Sequence, residues 1–174
     1  MQPLSADKPG EGAHKFSAFT SSVCQLRPHS RGHIEIKSPD AFVYPAIHPN
    51  YLSDERDHPV VIGGVKVARR IAAAPSLAPH IISEFVPGEQ FQSDAELLDA
   101  ARLCSQSIYH PTSTCKMGTD SMAVVDPRLR VYGISGLRVV DCSIMPEIVS
   151  GNTNAPAIMI AEKAADMIRE DHKN

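Results

Sequence analysis

From Phe16 to Leu26, and again through His33, Ile34, Glu35, Ile36 and Lys37, apolar and polar residues alternate, with Pro28 and Ser30-Arg31-Gly32 between the two stretches. A period of two predicts half-buried strands joined by a tight connection. A third extended piece, Phe42 to Ile47, follows Ser38-Pro39-Asp40. The connections are too short for crossover helices, so the sheet is expected to be antiparallel. Asp57 and Pro59 open a helix that runs to Ala74 ahead of Pro75, with Gly63-Gly64 weakening its first turns. A short strand, Ile81 to Val86, is expected to return to the sheet. Ser93 and Glu96 form a capping box, and Leu97, Leu98, Ala101, Cys104 and Ile108 then recur on one face of a helix predicted to run into Tyr109 and His110. Beyond it, His110 to Gly118 reads as loop, and Leu129 to Val140 as strand-turn-strand around Gly133 and Gly136. Asn154, with Pro156 in the first turn, opens a last helix whose apolar stripe is Ala157, Ile160, Ala161, Ala164 and Ile168.

Composition narrows the class. The 174 residues are 43% hydrophobic and 21% charged, near the globular average, and the formal charge of −3 lacks the positive field of a nucleic-acid or anionic-membrane binder. Fourteen prolines, about 8% of the chain, point to many turns. Cys24, Cys104, Cys115 and Cys142 are scattered without a C-x-x-C pair, which excludes a zinc ribbon and a thioredoxin-type redox pair and favours reduced packing thiols. No apolar run approaches the roughly eighteen residues needed to span a bilayer, and residues 1–14 have no signal-peptide core. Those fourteen residues read as a flexible leader, and a cytoplasmic location, with peripheral membrane contact as a variant, is the expectation.

His110 stands out among eight histidines because it is followed by the rigid Pro111 and a loop of small polar residues, Thr112-Ser113-Thr114. A helix C-terminal histidine bonded to the last carbonyls is the competing explanation. The sequence SIYHPTSTCKMG, Ser107 to Gly118, with VDPRLRVYGISGLRVVDCSIMPEIVSGNTNAPAIMIAEKAADMI, Val125 to Ile168, resembles the C-terminal signature of glucose-methanol-choline (GMC) flavoprotein oxidoreductases, nearest to the choline and alcohol dehydrogenase branch. Upstream, PHSRGHIEIKSPD and Pro49-Asn50-Tyr51-Leu52 resemble that family's substrate-domain strands.

The resemblance implies a catalytic pair facing the flavin ring: His110, which takes or positions the substrate hydroxyl proton, and Asn154, which hydrogen-bonds the oxygen. It implies FAD as cofactor, with Asp141, Cys142, Ala155 and Pro156 beside it, and an alcohol as substrate, choline being one candidate. No metal is implied. A histidine titrating near 6.5 is suited to base duty at neutral pH, and a helix N-terminus at Asn154 to Ala157 would favour negative charge on the reduced flavin. Members of the family often carry glycine where Ser113 stands. Cys115 reads as a packing residue.

The G-x-G-x-x-G turn that would hold an FAD diphosphate is absent from the 174 residues. The expected fold is therefore α+β: a leader (1–14), a substrate-binding domain with an antiparallel sheet and helices on one face (15–135), and the C-terminal strand and helix of an incomplete FAD-binding domain (136–174). The expected partners are a small alcohol, a complementary FAD-domain polypeptide and further copies of the chain, since the incomplete half would expose apolar surface. The alternative is a non-catalytic remnant serving as a binding or oligomerisation module without FAD.

Overall fold

The computed structural model describes residues 4–6 and 11–173. The expected leader therefore falls partly outside the described residues. Where it is described, His14 Nδ1 lies 3.1 Å from Ser5 Oγ, the His14 amide donates to the Ser5 carbonyl at 2.8 Å, and Thr20 Oγ1 donates to the Leu4 carbonyl at 2.8 Å.

The chain divides into two compact units. The first takes the described residues up to Gln25 together with Leu52–Ser105. It is built on helix α1 (His58–Ala72) and helix α2 (Asp94–Cys104), which pack on each other. Asp54 caps a 3-10 turn (Glu55–Asp57) that leads into α1, Pro59 occupies the first turn, and Arg69 and Arg70 sit at the negative end of the helix dipole. The second glycine of the Gly63-Gly64 pair serves packing: a Cβ on Gly64 would lie 2.2 Å from Val23 Cγ1, so only glycine admits that approach. The predicted capping box is present, with Ser93 Oγ accepting from the Glu96 amide and Glu96 Oε2 accepting from the Ser93 amide.

Two local expectations fail in this unit. Ile81 to Val86 is loop, because Glu84 turns inward to a bidentate pair with Arg69 (2.8 and 2.9 Å), whose remaining guanidinium donors bind the Phe91 and Gly88 carbonyls. Helix α2 ends at Cys104 on an extended Ser105, although Ile108 continues its apolar spacing.

The second unit is Leu26–Tyr51 with the chain from Gln106 onward. Its sheet is a two-stranded antiparallel ribbon, β1 (His33–Glu35) and β2 (Ala46–His48), pairing His33 with His48, Ile34 with Ile47 and Glu35 with Ala46. The alternating stretch Phe16 to Leu26 adds no strand to it, since almost all of that stretch belongs to the other unit. The core gathers Val125, Leu129, Ile144 and Met145 around Ile160 and Ala164 of helix α3 (Asn154–Asp171). The predicted strand-turn-strand appears as single bridges, Val125 to Val131 and Arg130 to Arg138, closed by Gly133 and Gly136 at φ 78° and 76°. Asp126 holds the preceding turn: its Oδ1 accepts from the Arg128 and Arg130 amides at 2.8 and 2.9 Å, fixing the buried Leu129 in the left-handed region at φ 66°. The C-terminal end of α3 is anchored by Asp171, which meets Arg128 at 2.9 Å, Arg130 at 2.6 Å and Arg138. Overall the architecture is α+β with an antiparallel sheet.

Candidate functional site

Chain geometry, rather than a helix end, positions His110. Between Cys104 and Cys115 the backbone is irregular, and Tyr109 (φ 62°) and Ser113 (φ 75°) bracket the His-Pro pair in left-handed conformations. At Ser113 a Cβ is disfavoured in that conformation, so the position is one that glycine would occupy without strain. The expected run of α2 into His110 is thereby corrected. His110 is half-buried, and its Nδ1 lies 2.9 Å from Thr153 Oγ1, the residue that precedes α3.

Thr153 is the hub of the site and escaped the sequence reading. It is 8% exposed and stands at the N-cap of α3, but its hydroxyl caps nothing in the helix because it is turned to His110. Its carbonyl accepts the Ala157 amide at 2.9 Å and the Cys142 thiol at 3.6 Å. One side chain and one peptide thus tie His110, Cys142 and the start of α3 together. A Thr-Asn pair ahead of a helix was the visible signal; read from sequence, the cap falls naturally on Asn154, whereas in the structure Asn154 is the first helical residue and is exposed.

The rest of the site is framed by hydrogen bonds between two stretches of loop. The Cys115 and Met117 amides donate to the Ser143 and Ile144 carbonyls at 3.0 and 2.8 Å, which fixes the chain after His110 against the turn at Asp141–Met145. Asp141 is exposed and its Oδ1 accepts the Ser143 amide at 2.7 Å, capping the 3-10 turn Cys142–Ile144. Cys142 is half-buried, and all four cysteines are free thiols. At the other side Ala155 is exposed and Pro156 half-buried in the first turn of α3, where Pro156 offers no backbone donor.

Chemically, this arrangement presents an imidazole whose Nδ1 is engaged and whose Nε2 has no hydrogen-bond partner among the described residues, next to a helix N-terminus that no side chain caps. Uncapped first-turn amides carry partial positive charge and suit an electron-rich group. Asn154 and Ala155 are exposed at that helix end, and Asp141 is exposed on the neighbouring turn, so the residues present are compatible in charge and exposure with an electron-rich ring edge and hydroxyl groups.

A family model described as GMC oxidoreductase matches residues 28–161. The alcohol dehydrogenase (acceptor) of Pseudomonas putida is 51% identical over 150 residues, covering 86% of this chain and 27% of that protein. The oxygen-dependent choline dehydrogenase of Acinetobacter baumannii is 47% identical over 167 residues, covering 96% of this chain and 30% of that protein. Among solved structures, pyridoxine 4-oxidase from Mesorbium loti matches with a TM-score of 0.77 and 35% identity over 86% of this chain and 28% of its own. An FAD-dependent oxidoreductase from Chaetomium thermophilum matches with a TM-score of 0.79 and 34% identity, over 85% and 26% respectively. The chain thus spans less than a third of the length of these curated relatives.

Proposed function

This chain belongs to the GMC oxidoreductase family, and we propose that it carries the substrate-side and catalytic-base part of an FAD-dependent alcohol dehydrogenase, with choline among the candidate alcohols. FAD is the family's cofactor, and when bound it supplies a hydride acceptor at its N5. His110 Nε2 accepts the proton of the alcohol hydroxyl. Thr153, bonded to Nδ1, holds the ring in one orientation, and in the base-competent form Nδ1–H donates to Thr153 Oγ1 so that Nε2 keeps its lone pair for substrate. Asn154 donates its amide hydrogen to the alcohol oxygen as alkoxide character develops, without adding a second titrating group. The N-terminus of α3 with Ala155 and Pro156, together with the exposed Asp141 and the adjacent Cys142, completes the cofactor-facing surface. The diphosphate-binding turn must come from residues outside these 174, which contain no G-x-G-x-x-G.

The observation that carries this reading is the 2.9 Å bond between His110 and Thr153 at the start of α3. Dye-coupled oxidation of choline and simple alcohols by the FAD-loaded enzyme containing this sequence tests it. His110→Ala is expected to lower kcat by about 100- to 10,000-fold, the usual worth of a positioned general base, while flavin absorbance is retained. Unchanged turnover in that variant would remove His110 from the mechanism.

A further inference from the structure

We infer that the exposed face of the β1–β2 ribbon forms a binding site for a divalent late-transition-metal cation of the zinc or copper class, held by His33, Glu35 and His48. Register creates this cluster. His33 and His48 are directly paired across the antiparallel strands, and Glu35, two residues further on, points to the same side as His33 because side chains alternate along a strand. Ala46 stands opposite Glu35 and its methyl group leaves the space beside the carboxylate open. The opposite side of the ribbon carries the apolar pair Ile34 and Ile47, so donors are segregated to one face.

One ligand atom from each of the three side chains lies within 4.8 Å of the other two. Metal–ligand bonds of roughly 2.1 Å at tetrahedral angles need ligand atoms about 3.4 Å apart, a closure that rotation of exposed side chains supplies. His33 Nε2 is already 3.3 Å from Glu35 Oε1, and the His33 and His48 rings stack with centroids 4.6 Å apart. Two imidazoles and one carboxylate match the donor preference of zinc and copper, leave a fourth position to water, and are poor ligands for calcium or magnesium, which take oxygen.

The backbone under the site is fixed. A Cβ on Gly32 would lie 2.2 Å from the His48 carbonyl oxygen, so the two strands meet as closely as glycine allows, and Asn50 Nδ2 donates to the Arg31 carbonyl at 3.2 Å. Register slippage, which would carry His48 to the other face, is thereby opposed.

Calorimetric titration of the chelator-stripped 174-residue chain with Zn2+ tests the site. One ion per chain is expected. His33→Ala and His48→Ala should each weaken binding by more than the roughly 10- to 100-fold that loss of an outer-sphere partner costs, and Glu35→Gln should weaken it by about tenfold. The exposed His80→Ala serves as control and should leave affinity unchanged, with far-UV circular dichroism verifying the fold of every variant. Zn2+ affinity that survives both His33→Ala and His48→Ala, or no binding by the unaltered chain, would overturn the assignment.

Discussion

The imidazole of His110 and the hydroxyl of Thr153, 43 residues apart in sequence, are joined at 2.9 Å, and this bond takes from α3 the side chain that would ordinarily cap it. The threonine Oγ1 is turned to the histidine and accepts no amide of α3. The first turn of α3 thus has no side-chain cap, and the same threonine that leaves it uncapped holds the His110 ring.

Replacing Thr153 by valine keeps the shape and removes the hydrogen bond, whereas serine keeps the hydroxyl. Loss of a buried hydrogen bond to an imidazole is worth about 1–3 kcal/mol, so Thr153→Val should lower kcat of the FAD-loaded enzyme by roughly 10- to 100-fold and Thr153→Ser should restore most of it. Nitrogen NMR of His110 separates this positioning role from a purely structural one. The unaltered chain should show one dominant tautomer and Thr153→Val a mixture.

Asp171 makes stability sensitive to acid. Hydrogen bonds from Arg130, then Arg138, and the charge of Arg128 bring its pKa down to about 2. The folded state therefore holds the carboxylate more tightly ionised than the unfolded chain, where it titrates near 4. The resulting stabilisation is complete above about pH 4 and disappears as pH falls toward 2. Urea midpoints of the unaltered chain and Asp171→Asn should differ at pH 6 and converge near pH 2. The gap at pH 6 should narrow in high salt, because the arginine cluster is partly exposed.

Asp126 governs a turn that propensity alone would not select. Its Oδ1 receives two backbone amides and allows Leu129, a core residue, to stand at φ 66°. Asp126→Ala orphans both donors and should destabilise by about 2–4 kcal/mol in chemical denaturation, with Asp126→Asn, which retains an acceptor oxygen, losing less than half of that.

What could be read in the sequence were features whose cause lies within a few residues. Pro59 and the Ser93/Glu96 box announce α1 and α2, and the positive-φ glycines 133 and 136 announce the C-terminal turns. The misreadings share a distant cause. Ile81 to Val86 has the alternation of a strand but is claimed by Arg69, and Ile108 fits the stripe of α2 although the chain has already passed into the second unit. His110 and Asn154 were singled out by the motifs around them, and the structure adds Thr153 as the partner of His110. Thr153 was hidden because its partner lies 43 residues away, and the His33, Glu35 and His48 cluster because it exists only once the strand register is known.

Adjacent glycines of α1 offer the sharpest contrast between propensity and packing. A Cβ added at Gly63 meets nothing within 4 Å, so Gly63→Ala should stabilise the chain by about 0.5–1 kcal/mol through reduced freedom of the unfolded state and better helix propensity. At Gly64 the same methyl group would lie 2.2 Å from Val23 Cγ1. The branched valine has one stiff rotor and no slack of its own, so the segment bearing it must move, and the propensity gain is outweighed by a clash costing about 1–3 kcal/mol. Thermal melts should therefore shift upward for Gly63→Ala and downward for Gly64→Ala. Pairing Gly64→Ala with Val23→Ala should recover part of the loss, because removing the two valine methyls opens the space that the new Cβ requires.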